Sequence, residues 1–305
     1  MKKTHPAILK FHGVRGSRPI HHTEMTAYGG NSTCLEIDTG MDLTLVIDGG
    51  TGLQHLSGRS ADHPKHKKIH ILVTHTHWDH VLFLPFLKQL THPHCDIHIH
   101  APEVDGIPFS DLFEMLFAHG RLPIPRPAIK AKLTFHKLIP GQNFLIEGKI
   151  RIDTFQVNHQ HTTLGYKISH GESSVAVITD ASVISNGNHL GKGMPERATE
   201  IGKEAFEKEY GDGLIAFLRG VHSLVFDTHF NAKNIKPDWG HATPEIAIDI
   251  CARAGIKRLF MFHHAPEDND CKVALKQMHA RSLALKFGIE VINAREEDQW
   301  PLISA

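Results

Sequence analysis

The stretch Ile69-His70-Ile71-Leu72-Val73-Thr74-His75-Thr76-His77-Trp78-Asp79-His80 sets the frame for the whole chain. Its first half is a short apolar run of the kind that forms a buried strand, and its second half is crowded with metal-ligating side chains. Alternate residues of an extended segment point the same way. A strand over 69–74 that runs into a loop therefore presents His75 and His77 on one side. Asp79 and His80 open the next segment, 79–90, whose pattern is helical. Three imidazoles and one carboxylate thus converge on a volume suited to divalent cations.

Upstream of this stretch, short apolar runs bounded by glycine predict strands at 7–12, 34–38 and 43–48. Downstream come a helical segment at 107–119, a proline-rich loop at 122–127, and strands at 133–138, 150–157, 163–169 and 175–179. A long helix over 196–218 leads to a strand at 223–226. The last third alternates helix 244–254, strand 258–262, helix 272–287 and strand 289–293. With no repeat and no long linker, two strand-then-helix halves predict an α/β fold. Two sheets would pack face to face with helices outside, in a single domain over 1–305.

Further ligand-type residues follow the later strands: His159 after 150–157, Asp180 after 175–179 and His263 after 258–262. A carboxylate such as Asp180 can bridge two cations, and a neutral imidazole cannot. His241 lies in Gly240-His241-Ala242-Thr243-Pro244, just before the helix 244–254, with Thr243 as cap and Pro244 at the first helical position. A histidine there meets free N–H groups and the positive end of the helix dipole, a good neighbourhood for phosphate.

Composition narrows the choice of partner. Among 305 residues, 33 are Lys or Arg and 33 are Asp or Glu, so no overall positive field exists to hold a long polyanion. A small anionic substrate needs only a local positive site, and DNA is not expected. Histidine occurs 27 times, and His21, His22, His63, His66, His92 and His94 sit in turn-like polar stretches as solvated bystanders. Four scattered cysteines without a CxxC pair predict buried, reduced thiols rather than a disulfide framework. The first ten residues lack the apolar stretch of a secretory signal and no run is long enough to span a bilayer. The expected location is cytoplasmic.

His75, His77, Asp79 and His80 match in full the HxHxDH signature of the metallo-β-lactamase superfamily, which this chain resembles. Gly13-Val14-Arg15-Gly16-Ser17, Gly29-Gly30-Asn31-Ser32, Asp48-Gly49-Gly50-Thr51-Gly52 and Gly165-Tyr166 look like its phosphodiesterase branch, which includes tRNase Z and cyclic-nucleotide phosphodiesterases. The resemblance implies an αββα sandwich of two mixed sheets. It implies His75, His77 and His159 as ligands of one metal, Asp79, His80 and His263 of a second, and Asp180 as the bridge. It also implies in-line attack on phosphorus by a metal-bridging hydroxide that Asp79 orients. His241 resembles the histidine of the branch's His-x-Ser/Thr motif and would protonate the leaving oxygen. The implied substrate is a small nucleotide phosphodiester, a 3′,5′-cyclic nucleotide first.

Two other activities share the ligand set. A thioester or lactone hydrolase of the same superfamily generally lacks the histidine at 241. The tRNA 3′-end endoribonuclease of the tRNase Z kind would make RNA the partner, against the balanced charge and the absence of a long basic Gly/Pro-rich arm. Zinc is the first expectation for the two metals and manganese the second, with iron(II) also suited to the donors. Asp48, Asp227 and His264 adjoin the site strands and could orient ligand imidazoles. Arg15, Asn31 and Ser32 fall in glycine-rich loops where backbone can approach an anion. Phe109, Phe113 and Phe117, at helical spacing, predict packing or a dimer contact over base stacking. A homodimer is the expected assembly, and 196–218 is read as a helical insertion.

Overall fold

Alternation along the strands sorts apolar side chains onto two faces of each sheet, and both faces are covered. The computed structural model describes residues 6–182, 194–236 and 239–302. The first sheet takes β1 (Ile8–Gly13), β2 (Cys34–Asp38), β3 (Thr44–Ile47), β4 (Lys68–Leu72), β5 (Asp96–Pro102) and β6 (Lys132–Leu138). The second takes β7 (Asn143–Ile146), β8 (Ile150–Val157), β9 (Thr163–His170), β10 (Ser173–Ile178), β11 (Ser223–Asp227), β12 (Arg258–Phe262) and β13 (Glu290–Asn293). The last strand, β14 (Gln299–Pro301), returns to the first sheet and pairs antiparallel with β1.

Strand order is β14-β1-β2-β3-β4-β5-β6 in one sheet and β13-β12-β11-β10-β9-β8-β7 in the other. Both are mixed: β3 to β6 run parallel, as do β10 to β13, and the remaining pairs are antiparallel. Leu9, Phe11, Leu35 and Leu72 of the first sheet meet Ile152, Tyr166, Val177 and Phe260 of the second in one central core. Ile69, Ile71, Ile97 and Ile99 face the opposite way, against Leu84, Leu87 and helix Phe109–Met115. Helices Lys203–Leu218, Pro244–Ala254 and Asp270–Ala284 cover the outer face of the second sheet. The architecture is the predicted αββα sandwich. It sends the carboxyl ends of two parallel strand sets to the same edge, where ligands bind in sheets of this kind.

Four local expectations are corrected. Residues 79–90 do not continue as one helix: Trp78–Val81 makes a single α-turn, then 3-10 turns follow at Leu84–Phe86 and Lys88–Thr91. Pro85 lacks the N–H that a continuing helix needs. Residues 196–218 form two helices, Met194–Ile201 and Lys203–Leu218, broken at Gly202, whose φ of 86° only glycine adopts readily. Strands β5, β7 and β14 were not anticipated. Cys271 is exposed, whereas Cys34, Cys95 and Cys251 are buried free thiols. Phe109 and Phe113 are core residues packed on Phe135, which removes them as a stacking surface. Among the described residues no helix is long and apolar enough to cross a membrane.

The unanticipated β5 reads Asp-Ile-His-Ile-His-Ala-Pro, and its histidines point between the sheets. His70 of β4 stacks on His98, and His100 stacks on His136 of β6, with centroids 4.6 and 4.3 Å apart. Ring nitrogens pair His70 with His100 at 3.1 Å and His98 with His136 at 3.0 Å. Burial and then the neighbouring imidazoles push His70 down to about 4 and His100 to about 2, so both are neutral in the fold. In the unfolded chain each takes a proton near pH 6.5, so unfolding binds protons below that pH and stability is lost as pH falls. Between pH 7 and 5 each is expected to withdraw about 1–2 kcal/mol. Urea unfolding at both pH values checks this: His100→Leu should flatten the dependence, and an unchanged slope would contradict it.

Candidate metal centre

Each candidate ligand hangs from the end of a strand or from the loop just past it. His75 and His77 extend β4, and Asp79 and His80 lie on the short helix Trp78–Val81. His159 follows β8, Asp180 follows β10 and His263 follows β12. Apart from His77, which is partly exposed, all of them are buried. Ligand atoms of His75, His77 and His159 lie within 4.8 Å of one another, as do those of Asp79, His80 and His263. Asp180 reaches both groups: one carboxylate oxygen is 3.1 Å from His80 Nε2, and the other is 3.1 Å from His263 Nε2 and 3.8 Å from His159 Nε2.

The outer nitrogen of most rings is already engaged. Asp48, at the end of β3, pairs with His80 Nδ1 at 2.7 Å, and the Gly240 carbonyl with His159 Nδ1 at 2.8 Å. Thr74 Oγ1 sits 3.1 Å from His75 Nδ1, and Thr33 Oγ1 3.5 Å from His263 Nδ1. Such contacts fix which ring nitrogen faces inward. Of the inward atoms, His159 Nε2 meets His77 Nδ1 at 3.3 Å. Among the described residues, Nε2 of His75, His80 and His263 and one oxygen of Asp180 are buried with only each other in reach and no well-formed hydrogen bond. Buried polar atoms are normally satisfied, so a convergent orphan set is what a cation would complete.

The electrostatics agree. Burial holds His75 and His263 below the usual imidazole range, and His159 down to about 3, leaving neutral donors. Burial alone would protonate Asp79 and Asp180, but the surrounding imidazoles outweigh it and keep both ionised. His80 is driven the other way: against burial, Asp180, Asp79 and Asp48 raise it. Three carboxylates around one ring demand positive charge at that point, and divalent cations supply it. The residues fit two metals.

Asp48 and His263 carry left-handed backbone, with φ of 61° and 60°. Non-glycine residues pay for such conformations, and they gather where function over-determines the backbone. Gly240 is a tighter constraint: its φ is 75°, and a β-carbon there would stand 2.4 Å from His159 Nδ1. Gly240→Ala is therefore expected to displace His159 and weaken metal retention about 10- to 100-fold. Elemental analysis of the purified variant checks this, and a full complement of metal would refute it.

Beside the cage, His241 Nδ1 pairs with Asp227 at the end of β11 at 2.8 Å. His241 precedes helix Pro244–Ala254, as expected. Burial lowers its basicity, but Asp227 and then Asp180 and Asp79 outweigh this and raise it. His229 was not anticipated: its ring stacks on His241 with centroids 4.4 Å apart and approaches His263 at 5.7 Å. Its position just past β11 was the available signal. A cavity of about 570 Å³ opens over the cage, lined also by Ser17, Thr76, Trp78, Gln160 and Trp239. The Ser17 amide donates to Asp79 at 2.7 Å.

Other candidates have different roles. Arg15 is fully buried and donates to the carbonyls of Gly29, Ala265 and Asp268, so it ties loops together instead of meeting substrate. Asn31 is bound to Glu296 and Gln54, and Ser32 to Thr51. His264 pairs with the Ala294 carbonyl and orients no ligand.

A family model described as the beta-lactamase superfamily domain matches residues 37–196. The chain belongs to the beta-lactamase superfamily. A ribonuclease Z of Porphyromonas gingivalis is 22% identical over 275 residues, covering 77% of this chain and 84% of the relative. The metallo-beta-lactamase fold protein YhfI from Bacillus subtilis superposes with a TM-score of 0.68 at 18% identity, over 97% of this chain and 99% of that one. The short form of human tRNase Z gives 0.63 at 16% identity, over 97% and 99%. This superfamily chain is a hydrolase with a His/Asp cluster for divalent metals.

Proposed function

We propose that this superfamily member hydrolyses small nucleotide phosphodiesters, with a 3′,5′-cyclic nucleotide as the first candidate substrate. The observation that carries the reading is His241, clamped by Asp227 at 2.8 Å beside the cage, just before a helix that begins at Pro244. A departing sugar oxygen calls for an acid at that place, and a departing thiolate does not. His75, His77 and His159 would hold one metal, Asp79, His80 and His263 the other, and Asp180 would bridge them. Two divalent cations so held would supply Lewis acidity and would make water more acidic near neutral pH. Zinc suits a donor set of five imidazoles and two carboxylates, with manganese and iron(II) next.

The chain's own groups do the rest. The Ser17 amide and His80 hold Asp79 ionised and fixed through one oxygen, so its carboxylate can orient the attacking water. Asp227 accepts from His241 Nδ1 and keeps the imidazolium charged, leaving the second ring nitrogen to donate to the leaving oxygen. The open cavity admits a small anion, and a zero net charge suits one.

A second reading, tRNA 3′-end cleavage, is favoured by the similarity to ribonuclease Z. One panel separates the readings: bis(p-nitrophenyl) phosphate, cyclic nucleotides, a precursor tRNA, a lactone and a thioester, each with and without added metal. Turnover of cyclic nucleotides supports the proposal. Cleavage of precursor tRNA alone, with affinity falling steeply as salt rises, transfers it to RNA. Thioester or lactone turnover without phosphodiester turnover overturns both.

A further inference from the structure

Two tryptophans stand at the mouth of the metal-centre cavity with their rings largely in solvent: Trp78 is 70% exposed and Trp239 51%. Indole is a costly group to leave in water, and a large exposed ring beside a reactive centre is normally covered when a ligand arrives. Both rings are tethered to the chemistry. Trp78 lies between His77 and Asp79 and begins the α-turn that carries His80. Trp239 is two residues before His241, its ring tilted on Phe230 at 6.4 Å, with the Lys236 ammonium 3.7 Å over its face. The third tryptophan, Trp300, packs far along the chain on Phe260 and takes no part.

We infer that Trp78 and Trp239 are the specificity residues of the site and stack on the base of a nucleoside phosphodiester, so that substrates carrying a heteroaromatic base are preferred over aliphatic diesters. This inference rests on the phosphodiesterase reading and adds the class of leaving or retained group. Base–aromatic stacking is tolerant of base identity, because every base has a π face, so the preference is for a base as such. The cavity of about 570 Å³ is of small-ligand size and is lined by cage residues and by both indoles, so one ligand can meet the cage and the rim together. Lys236, already over Trp239, would be displaced or would flank the stacked base, and it adds positive charge where an anionic ligand enters. The phenylalanines Phe109 and Phe113, the other aromatic set in the sequence, are enclosed in the core and cannot serve.

The test uses metal-loaded full-length chain with Trp78→Ala, Trp239→Ala and Trp78→Phe. Two quantities are read: the ratio of kcat/KM for a cyclic nucleotide over a glycerol phosphodiester, and the quenching of tryptophan fluorescence by adenosine monophosphate. Each alanine variant is expected to lower the ratio about 10- to 100-fold and to remove part of the quenching, with Trp78→Phe restoring much of the ratio. If the wild-type chain cleaves both diesters and the alanine variants keep its ratio, the stacking role is wrong and the phosphodiesterase reading stands. If no diester is cleaved while adenosine monophosphate still quenches through Trp78 and Trp239, the base site stands and the reading falls. Absence of both quenching and preference overturns the inference.

Discussion

Asp180→Ala is expected to leave a chain that holds no more than about one metal per molecule and has lost phosphodiesterase activity by ~10³-fold or more. Asp180 is the one candidate ligand whose oxygens reach both groups, so its loss opens both halves at once. The remaining imidazoles of His75, His77 and His159 would still offer three donors to one cation, whereas a pair of cations would have lost the anion between them. Asp180→Asn sharpens the test, because it keeps the shape and removes the charge and the anionic bridge. Metal content by elemental analysis, with circular dichroism to show the fold, checks the expectation. Two metals retained in either variant would dispose of the bridging role.

The side chains that converge here were legible because strand ends punctuate the sequence. The His75 to His80 cluster is local, and its period-two spacing alone places His75 and His77 together. His159, Asp180 and His263 are distant in sequence, yet each follows an apolar run, and β8, β10 and β12 run in one direction and end at one edge. Asp48 and Asp227 were found by the same logic, and both bond to site imidazoles.

What escaped had physical reasons. β5 was hidden because His98 and His100 occupy core-facing positions, where histidine reads as polar until stacking and ring-nitrogen pairing satisfy it. His229 has no motif around it, and only the fold brings it onto His241. The left-handed backbone at Asp48 and His263 belongs to non-glycine residues and leaves no mark in composition. Arg15 misled because a glycine-rich loop suggests an anion, whereas its guanidinium is spent on three backbone carbonyls.

His241→Ala is expected to lower kcat on a cyclic nucleotide by ~10²- to 10⁴-fold while both metals stay bound. The loss should shrink sharply on bis(p-nitrophenyl) phosphate, whose leaving group departs as a stable anion and needs no proton, whereas a structural lesion would depress both substrates alike. Asp227→Asn gives the complementary result. Asp227 raises His241 against the effect of burial, so removing its charge lowers the pH at which the ring loses its proton. An acid works only while protonated, so activity should begin to fall at a lower pH in Asp227→Asn than in the wild type, with the acidic side of the profile unmoved. The pH dependence of kcat/KM for the two proteins checks this. An alkaline limb that stays in place in Asp227→Asn, or equal losses on both substrates in His241→Ala, would leave His241 a packing residue and deprive the phosphodiesterase reading of its main support.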